Sequence, residues 1–236
     1  MMRLSVRFSI LFVAIGVLGL GASLRVQAQI AASQTSTTGP YISTDPLANV
    51  RYDNRYDLYL GMAYDHMKAG PMLLQGSNLG GLDLSGSYWL SRHWGLEGSG
   101  RGYLGTSGAA PNPYSINGPF VAQYFFVAGP EWLGPHNKHG DLMAHAMFGG
   151  VYGSFEQNLR GTPPYAVGFY NDQVAPAAII GGHMDLNRSA RWVFRVTPDS
   201  VTTHYYSTDK YGNQRTQYDV NFAISVGVEY KFKKTR

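Results

Sequence analysis

Eight side chains capable of carrying charge or a proton recur through the middle of the chain: Asp83, Glu97, Arg101, His145, His183, Asp185, Arg195 and Asp199. Glu97 and Arg101 are four residues apart, as are Arg195 and Asp199. In extended backbone each pair therefore lies on one face. Buried charges must be paired, so these groups can join partners on neighbouring strands in an ionic plug. Left unfilled, the same groups would line a narrow ion path. His136 and His139 lie three apart in a short turn, with no H-E-x-x-H motif and no cysteine to accompany them. Two ligands in a hydrated turn make a poor metal centre, so neither a metal nor a cofactor is expected. His204, Ser207 and Asp209 bring base, hydroxyl and acid into one stretch, HYYSTD. A base-activated hydroxyl would need those groups in contact. No residue is assigned a catalytic role.

These residues are positioned by elements with a clear period. Over 218–232 every second residue is apolar or aromatic, with Tyr218, Val220, Phe222, Ile224, Val226, Val228, Tyr230 and Phe232 on one face. Such alternation is the strand signature, and this run is far longer than the roughly six residues of a typical globular strand. A strand crossing a bilayer in front of a polar lumen has this pattern. Over 56–64 the pattern repeats, with Tyr56, Leu58, Leu60, Met62 and Tyr64 opposite Asp57, Tyr59, Gly61 and Ala63. Its outer tyrosines are separated by roughly 26 Å along the strand, which suits an aromatic girdle at each edge of an apolar band. Six further alternating segments are read at 82–90, 96–104, 120–129, 142–152, 174–185 and 192–199, which makes eight strands. Pro176 and Pro198 fall inside two of them, where a ladder donor is lost.

The connections alternate in length. Short ones are expected at 91–94, 135–140 and 187–190, and long ones at 68–80, 106–118, 155–172 and 205–216. That is the pattern of a membrane barrel with periplasmic turns and external loops. The expected fold is all-β, an eight-stranded antiparallel up-and-down transmembrane β-barrel over 55–233. A secreted soluble barrel binding a small apolar ligand is the alternative, and it requires the apolar faces to point inward.

The N-terminus reads as a signal peptide over 1–28: Arg3 and Arg7 precede an apolar run, and Val26-Gln27-Ala28 offers a cleavage site. A flexible periplasmic leader follows over 29–54, rich in Ser, Thr and Pro, and a short tail over 234–236 closes the chain. The chain has 19 Lys+Arg and 15 Asp+Glu, and removing Arg3, Arg7 and Arg25 leaves a near balance. Its basic character thus gives no reason to expect nucleic acid as a partner. The absence of cysteine excludes disulfides and thiol chemistry.

The end of the last strand, Ser225-x-Gly227-x-x-Tyr230-x-Phe232, resembles the closing-strand signal of bacterial outer-membrane barrels, although four residues follow Phe232 here. Together with the strand count, it makes the chain resemble the eight-stranded OmpA and OmpX type over about 56–232. The resemblance implies location in the bacterial outer membrane and insertion by the barrel-assembly machinery. It also implies contact with outer-membrane lipid and lipopolysaccharide. No peptidoglycan-binding domain is expected after the barrel. Some small barrels deacylate lipid A, but HYYSTD lacks the close H-x-S spacing of that family. A structural or surface-interaction role is expected instead. Any surface ligand would meet the external loops, which hold Met72, Leu73, Leu74, Tyr114, Tyr165, Tyr170, Tyr205, Tyr206 and Tyr211.

Overall fold

A computed structural model describes residues 45–73, 75–109 and 111–232. The expected signal peptide, the first part of the leader, Leu74 and the residues after Phe232 lie outside these. Eight strands follow one another: β1 (Tyr56–Met67), β2 (Ser77–Trp89), β3 (Trp94–Thr106), β4 (Phe120–His136), β5 (Gly140–Ser154), β6 (Gln173–Asn187), β7 (Trp192–Thr208) and β8 (Gln214–Lys231). Each pairs antiparallel with its neighbour, and β1 pairs with β8, so the sheet closes into a barrel without a free edge. Closure satisfies every ladder along the barrel wall, which a bilayer demands.

The alternation fixes which face is which. In β1 exposed and buried residues alternate without a break from Tyr56 to Met67. Met62, Phe126 and Val174 stand outward at 76%, 73% and 75% exposure, while Asp83, Glu131 and Arg195 are sealed inside. The greasy faces therefore meet the surroundings and the polar faces meet one another. That orientation excludes the soluble alternative, which needed the reverse.

Aromatic side chains ring both ends of the apolar band. At the end bearing the short turns, Tyr56 packs on Tyr88 and Trp192 on Tyr230, with ring centres 5.2 and 4.9 Å apart. Near the opposite end Tyr124 stacks on Tyr152 at 6.5 Å and Tyr218 on His204 at 4.1 Å. Amphipathic rings at two levels mark the two interfaces of a membrane.

The strands run longer than the sequence pattern suggests, from 12 residues in β1 to 18 in β8. The expected loop over 205–216 is the largest difference. It is a long hairpin whose connection is only Asp209–Asn213, because β7 and β8 stay paired as far as Thr208 and Gln214. β4 likewise continues past the expected end at Gly129 to His136, through Pro130 and Pro135, with an irregular register between Leu133 and His136. Proline is tolerated there because its missing donor falls at a bulged or unpaired position.

The described part of the expected leader, 45–54, does not hang free. Tyr52 Oη donates to the Asn137 carbonyl at 2.8 Å, and Asn187 Nδ2 donates to Tyr52 Oη at 2.8 Å. Lys231 Nζ lies 4.7 Å from the centre of the Tyr52 ring. Polar composition argued for a free segment, but one aromatic residue with a polar tip suffices to tie it to the short-turn rim.

Candidate functional site

The barrel interior divides into a polar half, towards the short turns, and an apolar half beneath the long loops. In the polar half Asp83 stands directly opposite Arg101 on β2 and β3, and Asp185 directly opposite Arg195 on β6 and β7. Arg101 Nε is 3.3 Å from Asp83 Oδ2, and its Nη1 donates across the lumen to Asp199. Asp83 also accepts from Ser99 at 2.9 Å and from Ser225 at 3.0 Å. Asp199 turns to His145, with Oδ1 2.8 Å from Nε2. The other nitrogen of His145 lies 2.8 Å from Glu97 Oε2, and His183 Nε2 lies 3.1 Å from the same oxygen.

The remaining two residues form a second cluster. Arg195 donates through Nε and Nη2 to both oxygens of Asp185, at 2.7 and 2.8 Å, and through Nη2 to Glu229 at 2.8 Å. All eight candidate lumen residues thus point inward. The two pairs four apart along the chain bond across strands rather than to one another, because four residues of strand span about 13 Å.

Several members were not singled out in the sequence. Glu131 is fully buried, and so is Glu229, while Lys231 reaches Asp141 at 3.4 Å. Asp57 accepts from Trp89 Nε1 at 2.7 Å. Counting on by two from Val121 would have reached Glu131, had β4 not seemed to stop before Pro130. Glu229 and Lys231 sat on the right face of β8, but without a visible partner. The buried side chains of the described residues include the carboxylates of Asp57, Asp65, Asp83, Glu97, Glu131, Asp141, Asp185, Asp199, Asp219 and Glu229. Among the described residues, the buried side chains with permanent positive charge are Arg101, Arg195 and Lys231.

The apolar half is closed by the chain between β5 and β6. There Phe155, Leu159, Val167, Phe169 and Tyr170 are buried with Ala69, Leu73 and Ile116 from the other long loops. A single helical turn, α1 (Pro164–Val167), starts at a proline and ends at Gly168, whose φ of 85° lets the chain reverse into the barrel mouth. Phe155, Tyr170 and Tyr205 form an aromatic trio with ring centres 5.2–5.6 Å apart. Tyr170 donates to Asp219, and Gln123 Nε2 donates to Tyr205 Oη at 2.8 Å. Burial, and then the adjoining Asp219, push the Tyr170 hydroxyl well above its ordinary pKa.

This corrects the assignment of contact residues. Leu73, Tyr170 and Tyr205 were expected on a binding surface, yet they are interior packing. Tyr206 is half-buried, whereas Met72, Tyr114, Tyr165 and Tyr211 are exposed. A cleft of about 530 Å³ opens among the loops, lined by Met72, Tyr165, Lys210 and Arg215.

The remaining candidates do not assemble. His204 stacks outward on Tyr218, while Ser207 is buried on the opposite face of β7. Asp209 caps the β7–β8 turn, accepting from the Tyr211 and Asn213 amides at 2.8 and 2.9 Å, which hold its carboxyl below the usual range. Base and hydroxyl therefore cannot touch. His136 Nδ1 faces the Gly134 carbonyl at 2.9 Å, and the His139 amide donates to Asn137.

In the closing strand, Ser225 is a lumen residue that bonds to Tyr59 at 3.0 Å as well as to Asp83. Gly227 lies where a Cβ would sit 2.1 Å from the Leu60 carbonyl oxygen. Tyr230 joins the short-turn girdle, and the Phe232 amide donates to the Tyr56 carbonyl at 3.0 Å.

Compared by sequence, the chain matches no known family profile and no curated protein. Compared by structure, it is similar to the outer-membrane protein OprG from Pseudomonas aeruginosa. That match has 12% identity and a TM-score of 0.56, and covers 79% of this chain and 99% of that one. It is also similar to Neisserial surface protein A, with 12% identity, a TM-score of 0.52, and coverage of 75% and 97%. The chain has the fold of the eight-stranded outer-membrane barrels.

Proposed function

We propose that this protein is a bacterial outer-membrane barrel with a sealed lumen that acts through its loop face. One observation carries the reading: the interior is filled in two layers of different chemistry. Charged side chains bond across the polar half, and an aromatic stopper fills the mouth. Eight strands leave an interior just wide enough for side chains to fill, so little free cross-section is left for ions. What remains accessible is the external rim, where Met72, Tyr165, Lys210 and Arg215 border the cleft. Tyrosine and methionine give contact area, and the two cations suit an anionic partner such as a surface polysaccharide or lipopolysaccharide headgroup. No catalytic activity is assigned. Ser225, Gly227, Tyr230 and Phe232 serve as the recognition signal for the assembly machinery on this reading.

Planar-bilayer recording of the purified barrel tests the seal, comparing the parent with Glu97→Ala. The parent is expected to show no steady open level, and a large stable conductance overturns the reading. Cells displaying Tyr165→Ala and Arg215→Ala together test the loop face. If they bind lipopolysaccharide or matrix as well as the parent, the surface role is lost.

A further inference from the structure

We propose that the lumen holds a divalent transition-metal ion between β3, β4, β5 and β6, bound by Glu97, Glu131, His145 and His183. Three donor atoms converge there. His145 Nδ1, His183 Nε2 and Glu97 Oε2 form a triangle with sides of 2.8, 3.1 and 3.1 Å. All three residues are buried.

Both imidazoles can turn a lone pair towards this triangle. The remote nitrogen of His145, Nε2, faces Asp199 Oδ1 at 2.8 Å, and an ionised carboxylate can only accept. The ring proton of neutral His145 therefore sits on Nε2, and Nδ1 offers a lone pair to the triangle. His183 Nδ1 is engaged by Thr197 Oγ1 at 3.0 Å, so its Nε2 can likewise face inward bare. With Thr197 accepting from His183 Nδ1, two imidazole lone pairs and a carboxylate oxygen meet with no proton between them, the donor set that a cation takes up. Histidine ligands held from behind by a carboxylate or hydroxyl are the usual outer support of a metal site.

A fourth donor stands independently of the triangle. Glu131 is fully buried, neither of its carboxylate oxygens has a hydrogen-bond partner, and Oε1 lies 3.6 Å from His183 Nε2. It sits directly opposite His145 across the β4–β5 ladder. An ionised carboxylate buried without a partner is costly, and a bound cation removes that cost. The surplus of buried carboxylates over Arg101, Arg195 and Lys231 points the same way.

The donor set selects the ion. Two imidazoles and two carboxylates suit a Zn²⁺-like ion in four-fold coordination, whereas Ca²⁺ and Mg²⁺ take all-oxygen shells. Ligand atoms of a tetrahedral site with bonds near 2.1 Å lie about 3.4 Å apart, so the three donors of the triangle need shift by only a few tenths of an ångström, and the Glu131 carboxylate swings further to close the fourth position. Four protein ligands and no solvent access make the site structural, a cross-link among four strands. It stands apart from the sealed-lumen reading, because metal content, not conductance, is its readout.

The test uses the full barrel, purified untagged in detergent, stripped with a chelator and dialysed against Zn²⁺ or Co²⁺. His136→Ala and His139→Ala are introduced together in all samples to remove adventitious sites on the rim. About one equivalent of Zn²⁺ per barrel is expected, with a tetrahedral Co²⁺ visible spectrum. His183→Ala should abolish that spectrum, and Glu131→Gln should weaken binding by roughly tenfold or more. Should His183→Ala fail to fold, the stoichiometry and Co²⁺ spectrum of the parent decide alone. A parent barrel that binds no metal at micromolar concentration overturns the proposal, as does an octahedral Co²⁺ spectrum or binding unchanged by Glu131→Gln.

Discussion

At the scale of single residues the lumen is governed by what happens to a buried charge when its partner is removed. Arg195 bonds to Asp185 and Glu229 at once, and all three are buried. Arg195→Ala should destabilise the barrel by about 3–5 kcal/mol, since two carboxylates lose their counter-charge together. Urea unfolding in lipid vesicles, read by tryptophan fluorescence, measures this. Replacing all three by apolar residues of similar volume should cost far less than the single change. A triple variant as unstable as Arg195→Ala would show that packing, not charge, sets the cost. Gly181 gives a steric counterpart. A Cβ there would lie 1.9 Å from Asp199 Oδ1, so the glycine makes room for the carboxylate that His145 and Arg101 share. Gly181→Ala should cost about 1–3 kcal/mol by overpacking, measured in the same unfolding assay.

At the scale of elements the chain between β5 and β6 behaves as a folded stopper rather than a loop. Phe155→Ala removes the ring that both Tyr170 and Tyr205 pack against, and should cost about 3–5 kcal/mol within the stopper. Protease sensitivity confined to 155–172 would report it while the strands stay protected. The raised Tyr170 hydroxyl adds a pH dependence. Its folded-state value lies above the unfolded one, so the neutral phenol stabilises the stopper fully below the ordinary tyrosine pKa. That contribution is lost only as pH rises through the higher folded-state value. Limited proteolysis from neutral pH to about pH 10 should show no opening of 155–172. Cleavage that begins near neutral pH would contradict the burial of Tyr170.

At the scale of the whole molecule two barriers lie in series. Deleting the stopper alone should leave the barrel closed, because Arg101 and Arg195 still tie strands together across the polar half. Breaking the ion pairs alone should leave the aromatic mouth in place. Only the combination, loss of 155–172 with Arg101→Ala and Arg195→Ala, is expected to give a steady conductance in planar bilayers. A pore opened by either change alone would mean that one layer, not both, forms the seal.

What could be read directly from the chain was the face of each residue within a segment of clear period two. Alternation around Tyr56, Leu58, Leu60 and Met62, and again from Tyr218 to Phe232, gave the strands and their greasy faces. It also placed Asp83, Glu97, Arg101, His145, His183, Asp185, Arg195 and Asp199 on inward faces, because the face of a strand residue is a local property. Which inward groups meet is not local. Arg101 reaches Asp199 across 98 positions, and Ser225 reaches Asp83 across 142. Such meetings depend on stagger accumulated through several ladders around the barrel. The same holds for Glu131, which joined the lumen once β4 ran on through its prolines. It holds too for Tyr170 and Tyr205, whose loop positions suggested a surface until tertiary packing drew them into the mouth. Period sets the face, and closure of the cylinder sets the partner.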